Sequence, residues 1–92
     1  MIARRFFVSG EVQGVGFRYF AQRSAGRHQV CGYVMNLADG RVELLAEGSE
    51  KAVNGFRLDL AAGPTHSRVA GVEELVVEPS GLYSTFRIER LG

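Results

Sequence analysis

Hydrophobic and polar positions along the chain follow two different periods, and the places where one gives way to the other divide it into elements. RRFFVSGEV, residues 4 to 12, alternates: Phe6 and Val8 fall on one face of an extended segment, with Arg5, Phe7 and Ser9 on the other. In FRYFAQRSAGR, residues 17 to 27, the apolar side chains Phe17, Phe20, Ala21 and Ala25 recur at helical spacing, and Gly26 with the polar residues after it marks the expected end of that helix, within a few residues. VCGYVMN, residues 30 to 36, returns to alternation, with Val30 and Val34 on the face of the small Gly32. Asp39-Gly40 predicts a hairpin, because both residues tolerate positive φ.

The strand after this turn, residues 41 to 48, points Val42, Leu44 and Ala46 inward. Ser49 is placed to cap a second helix over about residues 50 to 61, with Val53, Phe56 and Leu60 as its apolar stripe. Gly55 interrupts that helix at a cost of about 1 kcal/mol relative to alanine, and the sequence offers no reason for it. Gly63-Pro64 opens a loop, and two further strands are expected over Val69 to Glu78 and Thr85 to Leu91, with a turn around Pro79-Ser80-Gly81. The order βαββαβ is satisfied most economically by one antiparallel sheet with both helices on a single face: an α+β, ferredoxin-like sandwich forming one domain over residues 1–92. In that arrangement the first two strands run parallel with the third between them, so their carboxyl ends emerge at one sheet edge about 10 Å apart. The loop after the first strand then faces Asn36 across room for one small ligand.

A hydrophobic fraction of 46% and a charged fraction of 23% belong to a globular chain. Eleven Lys+Arg against ten Asp+Glu leave a net charge of +1, without the basic surplus of most nucleic-acid modules, so no nucleic-acid partner is expected. Cys31 is the single cysteine, which fits a reducing compartment. MIARRFFVSG has too short an apolar run for a signal peptide, and no stretch has transmembrane length; the expectation is a cytoplasmic monomer that does not engage a membrane.

The chemistry concentrates in GEVQGVGFR, residues 10 to 18, behind the first strand. A dinucleotide fingerprint would need a third glycine where Tyr19 stands, and a Walker A loop would need a lysine and a spacing the segment lacks. What remains is a glycine-rich turn leading into a helix amino terminus. There the first N–H groups lack internal acceptors and the helix dipole favours an anion. Successive amides of Gln13, Gly14, Val15, Gly16 and Phe17 can form a concave nest, with the guanidinium fork of Arg18 matched to phosphate oxygens. The plainer alternative is that the glycines only allow a tight turn and Arg18 is a solvated first-turn side chain.

GEVQGVGFRYFAQR resembles the signature of the acylphosphatase family, in which a glycine, a Val-Gln-Gly-Val run and a Phe-Arg pair form a phosphate cradle. GYVMNLADGRVEL, residues 32 to 44, is similar to the family's second signature, and the likeness continues through Pro64 to a Phe-x-Ile strand at Phe86 and Ile88. The resemblance implies that Arg18 binds the phosphoryl group, that Asn36 orients an attacking water, and that an acyl phosphate is hydrolysed to carboxylate and inorganic phosphate with no metal or other cofactor. Met35 stands where the family commonly has a basic or polar residue, and SAGRHQV lacks the family's usual Leu-Gly pair. Neither departure falls on the two implied catalytic positions.

That chemistry suits the residues present. A carboxyl group has a reference pKa near 4, so a carboxylate leaves phosphorus without prior protonation. An alkoxide leaving from a monoester would need an acid or a metal, and the chain offers neither at this edge. His28, at the far end of the first helix, reads as a solvated or dipole-stabilised imidazole, and His66 as a loop residue; with Cys31 they make a weak metal set. The competing reading is binding without catalysis: Phe7, Tyr33 and Leu45 fall on the open sheet face, where related folds present aromatics to single-stranded RNA or a protein partner.

Overall fold

The computed structural model describes residues 1–90. Its elements are β1 (Ile2–Glu11), α1 (Phe17–His28), β2 (Cys31–Asn36), β3 (Val42–Gly48), α2 (Glu50–Ala62), β4 (Arg68–Val77) and β5 (Phe86–Ile88). The five strands form one sheet in the order β4-β1-β3-β2-β5. β3 lies between β1 and β2 and pairs antiparallel with both, so β1 and β2 run parallel and end at the same edge. The expected wholly antiparallel sheet is corrected at one place: β5 pairs parallel with β2, making the sheet mixed. β5 is also shorter than expected, beginning at Phe86, and the expected end at Leu91 lies outside the described residues.

Between the sheet and the helices lies a core of Phe6, Val8, Val34, Val42, Leu44 and Ala46 from the strands, met by Phe17, Ala21 and Ala25 of α1 and Val53, Phe56 and Leu60 of α2. The alternation read along each strand selects these inward positions, and Phe56 crosses edge-to-face with both Phe6 and Phe86. Ser49 caps α2 as expected, its Oγ accepting from the Ala52 amide at 3.0 Å.

The end of α1 falls among the polar residues after Gly26, as expected. The helix continues to His28 and stops on Gln29, whose left-handed conformation (φ 60°) lets its amide reach the Ala25 carbonyl. Ser24, Arg27 and His28 at this end of the helix surround Asp59 of α2, donating to or sharing a proton with its Oδ2 at 2.6, 2.7 and 3.1 Å. Of the two expected roles for His28, the solvated imidazole is corrected, since the ring is half-buried between the helices; its place in the last turn of α1 is that of the dipole-stabilised alternative. His28 also explains Gly55: a Cβ there would stand 2.6 Å from the His28 ring.

The connection from β4 to β5 crosses the open sheet face, because these strands occupy opposite edges. Glu47, buried beneath it, accepts from the Ser80 amide (2.9 Å), the Ser80 hydroxyl (2.7 Å) and the Gly81 amide (3.2 Å). Burial alone would raise the Glu47 pKa, but these donors outweigh it and hold the carboxyl below its ordinary value. Tyr83 of the same connection packs against Tyr33, whose hydroxyl donates to Glu43. Burial and that carboxylate push the Tyr33 phenol up to about 12.

Candidate active site

The three glycines of GEVQGVGFR have two different tasks. Gly10 belongs to β1, at a register shift against β4, where a Cβ would lie 2.1 Å from the Arg68 carbonyl oxygen. Gly14 and Gly16 lie in the loop, with φ of 75° and 79° and open space where a Cβ would go. They are needed for their left-handed backbone, not for lack of room. Val12 is buried and Val15 packs against the core, so the loop is anchored by its side chains while its backbone stays at the surface.

Gly16 is the N-cap of α1, and no side chain caps the helix. Among the described residues, no acceptor meets the N–H groups of Gln13, Gly14, Val15, Gly16 or Phe17. The first turn of α1 carries no acidic residue. Unmet donors and the absence of local negative charge at a helix entrance favour an anion.

Arg18 and Asn36 arrive at this entrance from separate elements. Both line a cavity of about 220 Å³ with Val12, Gly14, Gly16, Phe17 and Tyr19. Both also line an adjoining cavity of about 310 Å³ with Leu37, Ala38, Glu89 and Arg90. Arg18, like Arg23 and Arg68, makes no ion pair among the described residues, whereas Arg4, Arg5, Arg27, Arg41, Arg57 and Arg87 each have a carboxylate partner. The Oδ1 of Asn36 is buried and has no hydrogen-bond partner. An unmet buried carbonyl costs about 1–3 kcal/mol.

Of the seven residues expected at the site, Gln13 and Val15 line neither cavity, and Gly14, Gly16, Phe17, Arg18 and Asn36 line the smaller one. Tyr19, Leu37 and Ala38 join them in the cavity walls without having been signalled by the sequence; Tyr19 and Leu37 each sit next to an expected site residue, which is the only hint available. Gln13 was expected for its amide alone, yet its side chain donates to the Leu37 and Arg41 carbonyls at 2.8 and 3.0 Å. His28 and His66 line neither cavity. Among the described residues, no three His, Cys, Asp or Glu side chains converge on a common point. On the open face, Phe7 carries the Arg41 guanidinium 4.9 Å above its ring, and Tyr33 is engaged by Tyr83 and Glu43.

Comparison with known proteins adds an independent result. The acylphosphatase family model matches residues 4–88. An acylphosphatase from Actinobacillus succinogenes is 44% identical over 90 residues, covering 98% of this chain and all of the relative. The crystal structure of an acylphosphatase from Bacillus subtilis superposes with a TM-score of 0.93 at 39% identity, over 97% of this chain and 99% of that one. Full-length HypF, solved in a phosphate- and nucleotide-bound form, matches 96% of this chain with 12% of its own length, at a TM-score of 0.88 and 31% identity.

Proposed function

The chain belongs to the acylphosphatase family, whose activity is hydrolysis of acyl phosphates, and on that premise we propose how its residues divide the reaction. The phosphoryl group lies in the loop, its oxygens accepting from the amides of Gln13 to Phe17 and from the guanidinium fork of Arg18. Asn36 holds a water in line with the bond to be broken. The water oxygen attacks phosphorus, the bond from phosphorus to the carboxyl oxygen breaks, and the carboxylate departs with that electron pair. The water's proton passes to a phosphoryl oxygen, giving dihydrogen phosphate. No metal or general acid is required, because the leaving carboxylate is stable unprotonated.

What supports this division is the meeting of an uncapped glycine loop, an arginine with no ion pair among the described residues and an asparagine with an unmet carbonyl around one cavity. Fixed donors aimed at developing phosphoryl charge act with little reorganisation, and one such donor is worth about 100- to 1,000-fold in rate in other enzymes. The test is hydrolysis of acetyl phosphate in excess chelator, beside a phosphate monoester, with inorganic phosphate as inhibitor. We expect turnover of the acyl phosphate only and competitive inhibition. For Asn36→Ala the expectation is a loss of about 100-fold in kcat with the phosphate inhibition constant nearly unchanged. Equal losses in both would make Asn36 a binding group instead.

A further inference from the structure

The two halves of the site have no direct backbone connection. The amide loop hangs from β1, Asn36 ends β2, and β3 separates these strands in the sheet. A small change in the spacing of loop and asparagine would move the phosphoryl group relative to the water that must attack it. Something has to set that spacing.

We propose that the side chain of Gln13 is the strut that does so: a positioning residue acting on Asn36, distinct from whatever its backbone amide binds. Its Nε2 donates one N–H to the Leu37 carbonyl at 2.8 Å and the other to the Arg41 carbonyl at 3.0 Å. Leu37 directly follows Asn36, and Arg41 directly precedes β3. Those carbonyls form the mouth of the β2–β3 hairpin, which is closed by the Leu37 amide donating to the Arg41 carbonyl at 2.8 Å. Among the described residues, these are the only hydrogen bonds that join the loop to the hairpin.

The hairpin is itself held firmly. The Asp39 carboxylate accepts from the Arg41 amide (3.0 Å) and from Arg41 Nε (2.8 Å), and the Arg41 guanidinium covers the Phe7 ring of β1. A strut tied to a braced hairpin transmits position, whereas one tied to a mobile turn would not. The primary amide is chemically selected here, because two carbonyls require two donors from one atom. A carboxylate would repel both, and an aliphatic side chain would leave the Leu37 carbonyl with only the Gly40 amide (3.2 Å) and the Arg41 carbonyl with only the Leu37 amide (2.8 Å).

The inference rests on the assignment of Asn36 to water positioning, and its test keeps the two separable. Gln13→Met retains the backbone amide and the side chain's length while removing both donors. Gln13→Glu replaces the donors with a carboxylate that regains one O–H donor when protonated. The wild type, both variants and Asn36→Ala are compared for kcat on acetyl phosphate, for the inhibition constant of inorganic phosphate, and for thermal midpoint.

The expected result is a loss of about 10- to 100-fold in kcat for Gln13→Met, the range associated with a misplacement near 1 Å, with phosphate inhibition altered less than about threefold. Gln13→Glu is expected to be slower still at pH 7 and to gain on Gln13→Met as pH falls towards 5, a recovery that general loosening of the loop would not produce. Wild-type kcat in Gln13→Met, with Asn36→Ala impaired, overturns the strut alone. Parallel loss of kcat and phosphate affinity in Gln13→Met, or a Gln13→Glu to Gln13→Met ratio flat with pH, overturns it as well. Unimpaired Asn36→Ala removes the premise and the strut with it.

Discussion

Exchanging Arg18 for lysine keeps the positive charge but removes the planar fork, and the expected outcome is loss of most of the activity with weaker inhibition by inorganic phosphate. Near-wild-type turnover would mean that a point charge suffices. Gly55 permits a second prediction at this scale. Alanine is the better helix former by about 1 kcal/mol, yet Gly55→Ala is expected to destabilise by roughly 1–2 kcal/mol, because its Cβ meets the His28 ring at 2.6 Å. In a His28→Ala background the same change should stabilise, and denaturant titrations of the four proteins decide it. Neither Gly55 nor His28 can be understood alone in the sequence, since each is explained by the other across two helices. Gln13 and Glu47 were illegible for a similar reason. Their partners lie 24 and 28 residues away for Gln13 and 33 and 34 for Glu47, and no periodic pattern encodes such pairings.

The elements themselves were largely legible, because one buried face imposes one period. Strand alternation picked out Phe6, Val8, Val42, Leu44 and Ala46, and helical spacing picked out Val53, Phe56 and Leu60; all are buried. The ends were less so. Gly26 and the polar residues after it placed the end of α1 only to within a few residues; Gly26 faces open space within the helix, which runs through Arg27 and His28, both in reach of Asp59. The glycine loop was legible as a turn leading into a helix, but the different role of Gly10 was not, since the close approach of β4 is a long-range fact. Gly16→Ala tests what the loop's conformation contributes. No atom lies within reach of the added methyl, so the penalty falls on φ alone, about 1–2 kcal/mol. Because the amides are held in that conformation, the phosphate inhibition constant should rise about tenfold while the thermal midpoint moves by only several degrees. A large fall in the midpoint with phosphate affinity unchanged would assign the glycine to folding instead.

Across the whole molecule, two carboxylates tie segments together far from the site. Asp59 joins the helices and Glu47 holds the β4–β5 crossing; in each, burial acts to raise the pKa and the surrounding donors lower it further than burial raises it. A carboxyl whose folded pKa is depressed adds stability above its unfolded pKa, near 4, and that contribution is lost as pH falls through the folded value. Glu47→Gln should therefore melt roughly 5–10 °C below the wild type at pH 7, with the gap narrowing as the pH is taken below 4. A gap that stays constant with pH would show that the carboxylate's charge is not what matters. The topology that needs this crossing is the same one that brings the ends of β1 and β2 together, and the sequence indicated that meeting through element order alone. The most direct test of the central claim is a titration of isotope-labelled protein with inorganic phosphate, followed by amide nitrogen–proton correlation spectra. The backbone signals of residues 13 to 17 and the Arg18 side-chain Nε–H should shift together and saturate in the wild type, and lose that response in Arg18→Lys. Saturable binding that leaves those loop amides unmoved and shifts signals elsewhere would contradict it.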